Sequence, residues 1–188
     1  MKIVFAAAIA ALLFSGCADK TPASDELGGI PEKAPAWIQD PDIAGRFAAT
    51  GGATQSIGGV RFQQIEARAR ASEILRARIE KIAISAATAC LNALATANSD
   101  TIDADARLAS LMIGARASSQ FERADNWWSP SRDYYALLRI SEDKLEETMI
   151  DAIGQFIKSN ETYSLNFGML RDVKLIENAA RNAIDAAK

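Results

Sequence analysis

The apolar positions between residues 60 and 98 recur every three or four residues, which predicts one long amphipathic helix. The run follows Gly58-Gly59, contains no proline or further glycine, and is rich in residues that lose little free energy on becoming helical. Its predicted buried stripe consists of Phe62, Ile65, Leu75, Ile79, Ile82 and Leu94, with Ala69, Ala86 and Cys90 between them. A helix over the whole run would be about 58 Å long, so we expect a break or a frayed end within residues 86–98.

Three shorter segments predict β-strands on both sides of this helix. Residues 46–55 are expected to form a strand that runs into a glycine-rich turn. Residues 103–112 have a short helical pattern, Gly114 interrupts it, and residues 115–128 are typical of an extended strand. The turn signal Ser129-Pro130-Ser131 then leads into residues 133–140, the clearest strand of the chain, so these two strands should form an antiparallel hairpin.

Two further helices are predicted after the hairpin. Ser141 is placed to cap the first of them, with Glu142 and Asp143 in its first turn, and this helix should end near Asn160. Residues 170–188 form the second amphipathic pattern. The order of elements predicts an α+β fold: a small antiparallel sheet in β-α-β-β-α order, packed on one long helix, with an extra C-terminal helix. We assign residues 37–160 to this domain and residues 161–188 to a C-terminal helical extension.

The N-terminus has the pattern of a secretory signal peptide. Lys2 is followed by an apolar run too short to span a bilayer stably, which ends in small residues before Cys17. The ending Leu-Phe-Ser-Gly-Cys resembles the lipobox of bacterial lipoproteins, with Phe14 where leucine is typical. This resemblance implies cleavage after residue 16, acylation of Cys17 with chains such as palmitate, and membrane attachment; the alternative is an ordinary signal peptide with a chance cysteine. Residues 17–36 then form the lipidated cysteine and a flexible tether rich in polar residues and proline.

The composition excludes several classes of function. The chain has 188 residues, a formal net charge of −3 and no histidine, so it lacks the basic face that nucleic acid requires and the commonest catalytic base and metal ligand. No nucleophile stands in a recognisable catalytic context, and the glycines near residue 58 do not have the spacing of a phosphate-binding loop. We therefore expect no enzymatic activity, cofactor, metal or small-molecule substrate. Cys90 lies on or beside the apolar stripe and is expected to be buried.

Several of these features together resemble the LPP20-type family of bacterial outer-membrane lipoproteins. The features are the lipobox at Cys17, the sequence Pro-Ala-Trp ending at Trp37, the strand at residues 47–51, the Ala/Arg-rich start of the long helix, and the aromatic hairpin. The resemblance covers roughly residues 35–141. It implies a β-α-β-β layout and an outer-membrane location, in some members with a flagellar or surface-antigen role, and it supplies no catalytic residues.

The expected function is therefore that of a structural or protein-docking module. The candidate partner-binding residues are Trp127, Trp128, Tyr134 and Tyr135, which should lie near the closed end of the hairpin. Two arrangements remain open: the tryptophan rings are exposed to a partner, or one is buried and the other is shielded by the turn. The partner would be another protein or a second copy, in an assembly on the periplasmic face of the outer membrane. The alternative is an envelope regulator that binds peptidoglycan or its synthesis machinery.

Overall fold

The structure is a computed structural model that describes residues 34–94, 99–164, 167 and 170–187. Cys17 and the signal-peptide prediction lie outside these residues. The elements are β1 (Ala48–Ala53), α1 (Gly59–Leu94), α2 (Ser99–Ser118), β2 (Glu122–Trp128), β3 (Tyr134–Arg139), α3 (Glu142–Ser159), α4 (Glu161–Ser164) and α5 (Leu170–Ala186). Two short 3-10 helices, Ala36–Ile38 and Pro41–Ala44, precede β1. The predicted α+β fold with its long helix and extra C-terminal helix is confirmed.

The three strands form one antiparallel sheet in the order β1-β3-β2, so that the last strand in sequence lies in the middle. The predicted hairpin pairs β2 with β3, with Trp128 opposite Tyr134 and Trp127 opposite Tyr135. β1 pairs with the other edge of β3, from Ala48 opposite Arg139 to Ala53 opposite Tyr134. Residues 134–138 are buried on both faces of the sheet, because α1 covers one face and the segment around Trp37 covers the other.

α1 is one continuous helix of 36 residues whose first half packs across β1 and β3. The structure corrects the predicted stripe in this half: Phe62 and Ile65 are exposed, as is Ala69, and the sheet instead contacts Gln63, Ala67 and Ala71. The reason is a close backbone approach at Gly51, where an added Cβ would lie 2.1 Å from the Ala67 carbonyl oxygen. Only small side chains of α1 fit against a strand that close.

The second half of α1 packs among α2, α3 and α5, and here the predicted stripe largely holds. Leu75, Ile79, Ala86, Cys90 and Leu94 are buried. α1 ends at Leu94, inside the interval in which we expected a break, and residues 95–98 lie outside the described part. The free thiol of Cys90 is fully buried, and burial raises its pKa to about 12. The expectation that Cys90 is buried is confirmed.

α2 differs most from the sequence prediction. The predicted short helix at residues 103–112 and the start of the following strand belong to one helix of 20 residues, so the prediction of a break at Gly114 was wrong. Gly114 is buried beside α1, and an added Cβ would lie 2.5 Å from Cγ and Oε1 of Glu80. The glycine therefore permits close packing of two helices, and β2 begins only at Glu122.

The C-terminal helices complete the same core. Ser141 caps α3 as predicted, because its hydroxyl accepts a hydrogen bond from the Lys144 backbone N–H at 3.4 Å. α4 is tied to α2 by Tyr163, whose hydroxyl donates to Oδ2 of Asp105 at 2.7 Å. α5 packs against α1 and α3 through Ile176, Ala180 and Ile184. The C-terminal helix thus belongs to the hydrophobic core that the other helices build.

Candidate partner-binding surface

The closed end of the β2–β3 hairpin is fixed by a dense set of hydrogen bonds. Ser129 is buried; its backbone N–H donates to the Asp133 carbonyl at 2.8 Å, and its carbonyl accepts from the Arg132 N–H at 2.9 Å. The Ser129 hydroxyl also accepts from the Asp133 N–H at 2.9 Å, and the Ser131 hydroxyl donates to the Asp133 carboxylate at 2.6 Å. Arg132 has a φ of 68°, a left-handed conformation that few non-glycine residues adopt. The turn is therefore held in one shape.

The four candidate aromatic residues lie at this end of the hairpin, but on two different faces of it. Trp128 packs on Tyr134 with ring centroids 4.7 Å apart, and Trp127 packs on Tyr135 at 5.7 Å. Both tyrosines are buried, and burial together with the nearby Asp133 charge raises the pKa of Tyr135. Trp127 is half-buried and Trp128 is 38% exposed. The structure thus forms two tilted aromatic pairs, of which the Trp128 ring is the most accessible part.

The face that carries Trp127 also receives the start of the domain. Trp37 is buried, and its indole Nε1 donates to the Asp125 carboxylate on β2 at 2.9 Å. The Thr50 hydroxyl on β1 donates to the Trp37 carbonyl at 2.9 Å. Trp37 therefore contacts both edge strands and anchors the start of the domain to the sheet.

On the opposite face, Gln63 joins the first turns of α1 to the hairpin, and sequence reasoning missed it. Its side chain is buried, and Nε2 donates to the Ala53 carbonyl at 2.9 Å and to the Arg132 carbonyl at 2.7 Å. One amide group thus connects the end of β1, the turn of the hairpin and α1. The only signal in the sequence was a glutamine four residues before Ala67, on the face that contacts the sheet.

Five large apolar side chains are exposed around this end of the domain, and we call them the tip residues. They are Ile57, Val60, Phe62, Ile65 and Trp128, with exposed fractions of 108%, 57%, 53%, 65% and 38%. Val60, Gln63, Trp128 and Arg132 line a shallow hollow of about 320 Å³ between α1 and the hairpin. The Arg132 side chain makes no ion pair with any described residue. The site combines exposed apolar side chains with a cationic rim, an arrangement typical of binding surfaces.

A second hollow, of about 550 Å³, lies where the covering by α1 stops short of β2. Arg68 and Ser72 of α1, Phe121, and Arg123 of β2 are among its lining residues. All side chains of β2 except Trp127 are exposed, so this edge of the sheet is open to solvent. Both arginines are exposed and cationic, which adds positive charge to the side of the domain that carries Trp128.

The described residues contain no group of three or more side chains that would hold a metal ion. Among those same residues, no helix has both the length and the apolar character needed to cross a bilayer. No protein-family model matches this sequence, and the curated proteins include none with a similar sequence.

Proposed function

We propose that this chain is a non-catalytic, lipid-anchored lipoprotein of the bacterial cell envelope that docks a partner protein through its tip residues. The observation that carries the docking function is the exposure of Trp128, beside Val60, on a part of the fold held rigid by hydrogen bonds. Tryptophan is enriched among residues that dominate binding free energy, and a rigid surface loses little entropy when a partner binds. The proposed partner is a protein of the same envelope assembly, at the outer membrane or associated with the flagellum.

The anchoring part of the proposal rests on Cys17 and the segment before it. Two or three acyl chains hold a protein stably on a bilayer, because each buried CH₂ contributes roughly 0.8 kcal/mol. The residue after Cys17 is Ala18 rather than the aspartate that resembles an inner-membrane retention signal. The periplasmic face of the outer membrane is therefore the proposed location, and residues 17–36 would act as the tether.

Membrane fractionation tests the anchor. Cys17→Ala should move the protein out of the outer-membrane fraction and stop processing of the precursor. Cys90→Ala serves as the matched control, because it removes the other cysteine of the chain while leaving Cys17 in place. If the Cys17→Ala protein is still processed and still fractionates with the outer membrane, the lipoprotein proposal is wrong.

Site-specific photo-crosslinking in cells tests the docking surface. A photoreactive residue introduced at Val60 should form a discrete adduct with another envelope protein, and Trp128→Ala should weaken that adduct. Ile43, which is 64% exposed in the second 3-10 helix, is the control position and should give no such adduct. An adduct that persists unchanged with Trp128→Ala would contradict docking through the tip residues. Retention on purified peptidoglycan that depends on Trp128 would favour the glycan-binding alternative.

A further inference from the structure

The outward face of α2 carries a regular stripe of apolar and small residues, five of which are exposed to solvent. Leu108 and Leu111 are each 52% exposed, although a helical pattern around them predicts a buried face. The buried side of α2 is the opposite one, formed by Ile102, Ala106, Ala109, Ile113 and Ala117. We call the exposed stripe the α2 seam; it consists of Thr101, Ala104, Leu108, Leu111, Ala115 and the half-buried Ser118. α2 is therefore apolar on two faces and packed on only one of them.

The spacing of the α2 seam is that of a helix–helix interface. Successive members are three, four, three, four and three residues apart, the period that keeps side chains on one line along a partner helix. The two leucines lie in the middle, an alanine flanks them on each side, and a small hydroxyl residue lies at each end. The order of side-chain types is thus the same read from either end of α2. A surface with that property is complementary to itself under a twofold axis through the point between Ala109 and Ser110.

The charges along α2 favour an antiparallel pair over a parallel one. Asp100, Asp103 and Asp105 lie in the first two turns and Arg107 follows them, so the first half of α2 carries three negative charges and one positive charge. The second half carries a single charge, that of Arg116, whose guanidinium donates to the Gln155 side chain of α3. A parallel pair would place the acidic halves of two helices side by side. An antiparallel pair places the acidic half of each helix beside the basic end of the other, and it also opposes the two helix dipoles favourably.

We infer that the α2 seam is a self-association surface through which two copies of this chain pair with their α2 helices antiparallel. Leu108 of one copy then packs on Leu111 of the second copy, and Ala104 packs on Ala115. A hollow of about 420 Å³ beside Leu108, lined in part by Met112 and Phe156, provides apolar surface next to this contact. The small alanines at the ends let the two helices approach closely.

The pairing rests on the proposed lipid anchor for its strength. One helix face on each side buries less than the roughly 800 Å² per partner of a standard stable interface. Confinement of the chains to a membrane surface raises their effective concentration and compensates for the small contact area. Leu108, in the middle of the α2 seam, lines a different hollow from the one that Trp128 lines, so a pair centred on the two leucines leaves Trp128 accessible to another partner.

Disulfide crosslinking of the full-length chain tests both the contact and its direction. Chains with A104C and chains with A115C, distinguished by two epitope tags, are expressed together, and isolated membranes are treated with a mild thiol oxidant. Residues 104 and 115 of two copies should face each other and crosslink. Residues 104 and 104 would lie about 16 Å apart along the axis, beyond the reach of a disulfide. Cys90 is buried and its pKa is raised to about 12, so its thiol does not compete.

The expected result is a mixed 104–115 dimer and little 104–104 or 115–115 dimer. L108E should reduce the mixed dimer at least tenfold, whereas I74E, at an α1 position that is 50% exposed, should leave it unchanged. Chains with L108E mixed with chains with L111K should recover it. A dominant 104–104 product, or no mixed dimer at any expression level, would overturn the proposal.

The control with cysteines only at 17 and 90 keeps this outcome separate from the proposed function. If that control forms a dimer, the disulfide joins two Cys17 thiols, which means that Cys17 is not lipidated. The 104–115, 104–104 and 115–115 crosslinks are then measured in chains that also carry Cys17→Ala. If the control stays monomeric and fractionates with membranes but the mixed dimer is absent, the lipid-anchor proposal is retained and the self-association proposal is rejected.

Discussion

Gln63 offers the sharpest test of how the candidate surface is held. Its amide nitrogen donates both of the side-chain hydrogen bonds that join α1 to the end of β1 and to the hairpin turn, at 2.9 and 2.7 Å. Gln63→Leu keeps the approximate size of the side chain and removes both bonds. Each hydrogen bond contributes about 0.5–1.5 kcal/mol net, and a buried carbonyl left without a donor costs about 1–3 kcal/mol. The leucine recovers part of this loss because it buries more apolar surface.

The expected loss for Gln63→Leu is therefore about 2 kcal/mol of unfolding free energy, which corresponds to a fall in Tm of about 4–8 °C for a chain of this length. Gln63→Glu should cost more at neutral pH, because a carboxylate would face two carbonyl oxygens. This additional loss should shrink as the pH falls and the carboxyl group becomes protonated, since its O–H then donates to one of the carbonyls.

Urea unfolding followed by circular dichroism measures the free energy, and acrylamide quenching of tryptophan fluorescence reports the local effect at Trp128. The matched control is Gln64→Leu, at the half-buried neighbouring position. The reasoning is refuted if Gln63→Leu is as stable as the unaltered chain. It is equally refuted if Gln64→Leu loses as much, because the effect would then come from a leucine on α1 rather than from the lost bonds.

Three further outcomes follow from the packing. Gly51→Ala should lower the unfolding free energy by about 1–3 kcal/mol, because the new methyl group would lie 2.1 Å from the Ala67 carbonyl oxygen. The control is Gly154→Ala, where the nearest atom to the new methyl group is 3.9 Å away, and it should be neutral or stabilising in the same urea titration. Trp37→Phe should cost about 1 kcal/mol through loss of its indole hydrogen bond, and an unchanged Tm would contradict the anchoring role. Cys90 should react with a thiol reagent at pH 8 only after unfolding. Burial raises the pKa of the Cys90 thiol in the folded chain from 9.0 to about 12. The buried, protonated thiol therefore stabilises the fold fully below pH 9, and this contribution should be lost as the pH rises from 9 to 12. Rapid labelling of the native chain would disprove the burial of Cys90.

Much of the fold was predictable from local patterns. The hairpin followed from alternation in residues 133–140 and from the Ser129-Pro130-Ser131 turn, and α3 followed from its Ser141 cap and regular apolar spacing. The α3 pattern is clear because one face of that helix meets the core and the other meets water. The β3 pattern is clear for a different reason: its apolar residues 134–138 are buried on both faces of the sheet and follow a turn signal. The long helix was equally clear, since nothing within it interrupts the helical spacing.

The errors arose where contacts depended on partners distant in sequence. Spacing alone placed Phe62 and Ile65 in the core, but the close approach of Gly51 selects small side chains and Gln63 instead. Gly114 was interpreted as a helix break because glycine occurs both at the ends of helices and at points where two helices pack closely. The local sequence does not distinguish these two roles. Whether such a residue is buried depends on which surface its helix or strand packs against. The neighbouring sequence does not specify that surface.

The candidate site was predictable in place but not in arrangement. Trp127 and Trp128 do lie at the closed end of the hairpin, yet neighbouring residues of a strand point to opposite faces, so they were never able to form one platform. The exposed leucines of α2 were missed for the opposite reason. Their spacing predicts a helix over residues 103–112, and only the structure distinguishes its packed face from its open one.

The position of β3 in the middle of the sheet has a consequence for how the chain folds. β1 is made early in synthesis, but Ala48 pairs with Arg139, so β1 has no partner until α1, α2 and β2 have all been made. A pairing this distant in sequence must close a long loop, which slows folding relative to the local helical contacts. We therefore expect the helices to form first and β1 to join the sheet last, bringing Trp37 with it. Until then β1 is an unpaired strand, and its short Gly- and Thr-containing sequence limits aggregation during that interval.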